Sequence, residues 1–138
     1  MNGLLLLDTC AAIWVANGDK LLSGATDAIN LATEERQAVQ ISPITAWEIG
    51  ILVARGRISI AGRPQSWYSR LLATPGVEAA KMSEEILIES SFLPGVPPND
   101  PADRIIIASA RELGLRIITR DKKILAYADA GHVQAVEC

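Results

Sequence analysis

The chain has 138 residues, 49% of them hydrophobic and 21% charged, with a formal net charge of −3. That length suits a single domain spanning 1–138 around one buried core, and the balance is that of an ordinary globular protein. There is no chain-wide positive field to gather nucleic acid, and no apolar run approaches the ~20 residues needed to cross a bilayer.

The opening stretch MNGLLLLD lacks a basic segment and a small-residue cleavage site. A secretory leader is therefore not expected, and the reading is cytoplasmic. Residues 4–7 are a short continuous apolar run ending at Asp8, as in a strand buried on both faces of a parallel sheet. A helix is expected over 9–17, closed by Asn17-Gly18-Asp19, and a second over 24–36. Residues 38–42 read as a strand; Ser42 as N-cap and Pro43 at the first helical position then begin a helix running to Ala54. A helix over 64–73 and a short strand over 77–80 follow. Ser83 caps a helix over 84–92, and LPGVPP makes a rigid loop. The spacing predicts a helix over 100–113 ended by Gly114, a strand over 115–120, a helix over 122–127 and a strand over 133–136. Such alternation argues for an α/β fold with a mostly parallel central sheet, right-handed crossovers and helices on both faces. Cys10 and Cys138 match no metal spacing or disulfide framework; both are expected to be reduced, with Cys10 a small core residue.

Four of the sixteen acidic residues stand where acids are costly. Asp8 and Asp121 each follow a hydrophobic strand, at the carboxyl ends that line the functional crevice of parallel α/β sheets. Glu48 shares a helix face with Ile44, Ile51 and Leu52. Asp103 meets Ile106, Ile107 and Ala110 at helical spacing. A carboxylate on an apolar stripe carries a desolvation penalty unless something pairs with it. Asp100 is well placed to cap the helix that begins at Pro101, and an acid at Asp103 also suits the helix dipole. Convergence of all four acids would be strongly repulsive, since two unit charges 4 Å apart cost roughly 4 kcal/mol at an effective dielectric near 20. A bound divalent cation resolves that repulsion, and an all-oxygen donor set suits Mg²⁺ or Mn²⁺. Zinc is disfavoured, because one histidine and two scattered cysteines offer no closed site.

The series LLLLDT, SPITAWEIG, DPADRIIIASA and ITRD resembles the PIN domain, and most closely the VapC-type toxins of toxin–antitoxin pairs. The resemblance runs along nearly the whole chain in the right order. It implies a three-layer α/β/α sandwich and a Mg²⁺-dependent endoribonuclease whose site acids are Asp8, Glu48, Asp103 and Asp121. By the same likeness Asp8 and Asp103 hold the metal directly, with Glu48 and Asp121 acting through water or behind them. Thr9, Thr119 and Ser42 are the hydroxyls expected to support the cluster. Arg104 would either pair with an acid or steady a phosphate, and Arg120, Lys122 and Lys123 would guide the RNA backbone. The likeness further implies products with a 5′-phosphate and a 3′-hydroxyl, a homodimer, and a cognate antitoxin lying across the groove. Trp14, Trp47 and Trp67 are surfaces for that contact or ordinary core residues. His132 is given no catalytic part.

Competing readings fare worse. A haloacid-dehalogenase-like phosphatase needs a second Asp where Cys10 stands. A receiver domain needs a phospho-accepting Asp where Pro43 follows the second strand, and no GxGxxG follows the first strand for a dinucleotide. A catalytically silent PIN-like module acting by partner binding would not need all four acids.

Overall fold

The computed structural model of the protein describes residues 4–138. Residues 1–3, which belong to the stretch read for a leader and to the 1–138 span, lie outside the described residues. Strands and helices alternate as β1 (Leu5–Leu7), α1 (Thr9–Asn17), α2 (Ser23–Glu34), β2 (Val39–Ile41), α3 (Ile44–Ala54), α4 (Pro64–Ala73), β3 (Val77–Ala79), α5 (Glu84–Glu89), α6 (Pro101–Leu113), β4 (Arg116–Thr119), α7 (Lys122–Asp129) and β5 (Gln134–Glu137).

The five strands pair in the order β3-β2-β1-β4-β5, every pairing parallel. β1 lies at the centre with all three leucines wholly buried. Because strand side chains alternate, Leu5 and Leu7 enter a core shared with Ala11, Ala28, Ile49, Trp67 and Leu71. Leu6 enters the opposite core, with Ile106, Ile107, Ile117, Ile124 and Tyr127. Helices α1, α2 and α4 thus cover one face, α6 and α7 cover the other, and α3 packs against both α1 and α6.

The chain steps outward from β1 to β2 to β3, then returns across the sheet to place β4 on the far side of β1. Direction and covered face reverse together, so both halves cross with the same hand. The strand order reverses between β1 and β4, where the strand ends diverge and open a crevice. Asp8 and Asp121 sit at the carboxyl ends of those two strands.

Local chemistry explains most element boundaries. In α6 the Asp100 carboxylate accepts the Asp103 N–H at 2.9 Å, Pro101 starts the first turn, and Gly114 at φ +69° closes the last. Several expected boundaries shift: α2 runs from Ser23 to Glu34 rather than over 24–36, and strand ends move by one residue. Helix α3 begins at Ile44, with Pro43 in the cap position and the Ser42 Oγ accepting the Ile44 N–H at 3.2 Å. Helix α5 stops at Glu89 rather than at residue 92. The Ser90 hydroxyl bonds back to the Leu87 carbonyl, and Pro94 disfavours a helical conformation at Leu93. Helix α7 runs on to Asp129, until Gly131 at φ +90° turns the chain.

Candidate active site

Asp8, Glu48, Asp103 and Asp121 come from four different elements or their caps and line one pocket of about 260 Å³. Thr9, Cys10, Trp14 and Arg120 complete its wall.

Asp8 ends β1 and caps α1. One of its oxygens accepts the Ala11 N–H at 2.8 Å and the other accepts the Thr119 hydroxyl. Thr119 Oγ1 in turn accepts the Asp121 N–H at 3.0 Å, so one buried threonine joins the two strand-end acids. Asp121 Oδ1 caps α7 by accepting the Lys123 N–H at 2.8 Å and the Ile124 N–H at 3.0 Å. On the neighbouring wall Glu48 accepts the Thr9 hydroxyl. Thr9 Oγ1 lies 3.2 Å from Thr45 Oγ1. Each hydroxyl has a single proton, so Thr45 donates to Thr9 when Thr9 donates to Glu48.

The electrostatics are one-sided. Burial, followed by the charges of Asp100, Asp121, Glu48 and Asp8, pushes the Asp103 carboxyl up to about 7. Burial also raises Asp8, with Asp121 adding to it; the bonds from Thr119 and Ala11 act the other way. Glu48 is raised by burial and by Asp100 and Asp8, against the pull of Thr9. No positive side chain offsets any of these three shifts. Arg120, at the rim, is engaged elsewhere: its guanidinium lies 3.6 Å above the Trp14 ring and donates to the Cys138 carbonyl at 3.1 Å.

Carboxyls held high by one another are stabilised in their charged form by a cation between them. Four carboxylates and two hydroxyls form an oxygen-only donor set, which fits a hard divalent ion. Among the described residues no three His, Cys, Asp or Glu side chains are drawn into a ready-made cage.

The structure brings together the four acids and the hydroxyls of Thr9 and Thr119. It does not bring in three other residues. Arg104 is one step round the helix from Asp103, about 100° away, and donates to the Ser90 carbonyl at 3.3 Å. The Ser42 hydroxyl serves the Ile44 N–H. Trp67 is core, packed with Leu71. Lys122 and Lys123 are exposed on the first turn of α7, and Trp47 is exposed on α3. Cys10 is not a core residue; it is exposed at the pocket wall, where burial of its thiol and the surrounding acids push it up to about 11. Thr45 was missed, although a hydroxyl three residues before an inward acid shares that acid's helix face.

The PIN domain family model matches residues 5–130. Ribonuclease VapC22 of Mycobacterium tuberculosis (strain ATCC 25618 / H37Rv) is 32% identical over 130 residues, covering 92% of this chain and 93% of that protein. Among solved structures, VapBC2 from Rickettsia felis, bound to a DNA fragment from its promoter, superposes with a TM-score of 0.66 at 14% identity, covering 96% of this chain and 97% of that one. DNA-bound VapBC from Salmonella typhimurium gives 0.65 at 19% identity, covering 99% and 98%. A toxin–antitoxin complex from Klebsiella pneumoniae gives 0.58 at 23% identity, covering 96% and 95%. At these identities the superpositions speak for the fold alone.

Proposed function

The chain belongs to the PIN domain family, and from that premise we propose that it is a divalent-metal-dependent endoribonuclease, the toxin of a toxin–antitoxin pair. The observation that carries the reading is the convergence of four acids from four elements in one pocket, where burial and neighbouring acids raise Asp8, Glu48 and Asp103. The 32% identity to a named ribonuclease supports the activity. An antitoxin as partner rests on the resemblance of LLLLDT, SPITAWEIG, DPADRIIIASA and ITRD to VapC-type toxins.

Asp8 and Asp103 would hold the ion, Mg²⁺ or Mn²⁺, directly, and Glu48 and Asp121 would act through water or behind them. When bound, the ion polarises the phosphodiester and lowers the pKa of water. The chain's own residues do the rest. Thr119 keeps one Asp8 oxygen in place while the Ala11 N–H holds the other. Thr45 and Thr9 orient Glu48. Asp103 retains a proton to near neutrality and must release it for the site to load, so occupancy rises with pH. The products carry a 5′-phosphate and a 3′-hydroxyl. One nuclease domain over 1–138, acting in the cytoplasm as a homodimer, completes the proposal. Among the described residues no helix is long and apolar enough to cross a membrane.

The test is cleavage of total RNA by purified protein with Mg²⁺ and with EDTA, beside Asp103→Asn as a control for contaminating nuclease. Cleavage that needs the metal and is lost in Asp103→Asn is the expected result. No cleavage, together with no effect of Mg²⁺ on the melting temperature, would sink both the metal site and the nuclease.

A further inference from the structure

A second cleft, of about 430 Å³, adjoins the acidic pocket and is lined by Lys20, Leu21, Leu22, Arg120, Glu137 and Cys138. Arg120 is common to both cavities, so the two form one continuous surface. The cleft is built on backbone bonds. The Cys138 carbonyl accepts the Leu22 N–H at 3.2 Å and Arg120 Nη2 at 3.1 Å, while the Cys138 N–H donates to the Thr119 carbonyl at 2.9 Å. The main chain of Cys138 therefore ties the α1–α2 loop and the Arg120 side chain, through its oxygen, to the strand that carries Thr119, through its N–H.

Arg120 is held from two sides. Trp14 lies beneath the guanidinium plane and the carbonyl binds one edge. A planar cation fixed in this way presents its remaining N–H groups in a set direction, as phosphate recognition requires. Lys20 lines the same cleft as Arg120, and Leu22, 54% exposed, adds apolar surface to it. Two cations and apolar surface in one cleft, with Glu137 the acid among its lining, match the chemistry of a single nucleic-acid strand.

We propose that this cleft is a subsite for single-stranded RNA: Arg120 and Lys20 take a phosphate next to the one at the acidic pocket, and Leu22 supports the attached nucleoside. The inference rests on the nuclease reading above. Arg120 is a binding residue, and Trp14 acts through it as a positioning residue.

The test separates the two claims. Anisotropy of a short single-stranded oligoribonucleotide, titrated at several salt concentrations, is read in the Asp103→Asn background. KM and kcat are read in the otherwise native protein. Arg120→Gln and Lys20→Gln should each weaken RNA binding about 5- to 20-fold. Each should also lower the slope of log K against log salt by about 0.7 and raise KM while kcat stays nearly unchanged. Arg120→Lys should recover the salt slope without the full affinity. Lys81→Gln, which removes an exposed cation elsewhere on the surface, should change none of these. If Lys20→Gln and Arg120→Gln behave like Lys81→Gln while the native protein cleaves RNA, the subsite is overturned, the nuclease reading stands, and the cleft is left to a protein partner. If the native protein cleaves nothing and Mg²⁺ leaves its melting temperature unchanged, but both substitutions weaken RNA binding as stated, the nuclease reading falls and the cleft stands as an RNA-binding site.

Discussion

Asp103 concentrates the conflict on which the site depends. Its carboxyl rests at about 7 against an ordinary 3.8, chiefly through burial and then through four neighbouring acids. A carboxyl raised on folding binds its proton more tightly in the native state, so its contribution to stability is complete below pH ~4 and is lost as pH rises through ~7. Metal-free protein should therefore lose stability over that window, and Asp103→Asn should remove much of the loss. Asp103 is only partly buried, and solvent screening trims the effect to about 1 kcal/mol, or roughly 3–5 °C in melting temperature at pH 8. Melting curves of both proteins in EDTA at pH 5 and pH 8 check the sign: a variant less stable than the native protein at pH 8 would contradict it. Thr119→Val tests the support of Asp8. Losing the hydroxyl that binds Asp8 and accepts from Asp121 should weaken Mn²⁺ binding about 10- to 100-fold in a calorimetric titration, while α7 keeps its own cap.

Among the elements, the start of α6 performs two tasks that oppose each other. Asp100 caps the helix through the Asp103 N–H, and its charge is the nearest acidic influence on Asp103 after burial. The two effects can be parted. Asp100→Ser keeps a capping oxygen and removes the charge, so it should lower the pH at which Asp103 titrates with little loss of helix stability. Asp100→Ala removes both and should be less stable than Asp100→Ser by about 1 kcal/mol. Chemical denaturation of the two variants in EDTA gives the difference, and equal stabilities would show that the cap contributes nothing. The strand and helix assignments were legible because hydrophobic period, cap residues and Gly or Pro stops agree along most of the chain. Where they failed, a back-bonding Ser90 ended α5 early, α7 ran on toward the Gly131 turn, and α2 stopped at Glu34.

On the scale of the whole molecule, four like charges share one crevice at the point where the sheet reverses its strand order. A divalent cation bound there, as proposed, would tie the stability of the fold to that ion. Mg²⁺ at about 100 times its dissociation constant should stabilise the native state by about 2.7 kcal/mol, since the unfolded chain has no site. Thermal unfolding against Mg²⁺ concentration reads this directly. A flat response in the native protein, or an equal response in Asp103→Asn, would mean that the ion binds elsewhere.

The four acids were visible in the sequence because each breaks a local rule: a charge ending an apolar strand, or a charge on an apolar helix face. The α/β class was visible for the complementary reason, that the local rules agree along most of the rest of the chain. Which hydroxyl meets which acid was not visible. Asp8 and Thr119 are 111 residues apart and touch only because β4 returns to the side of β1. The direction of Arg104, the exposure of Cys10 and the sharing of Arg120 between two cavities likewise depend on which neighbouring element faces each side chain. Sequence patterns carry the periodicity of one element at a time, so they determine what each element must bury. The strand order decides what that buried or crevice-facing side chain meets, and here it sets four acids around one space.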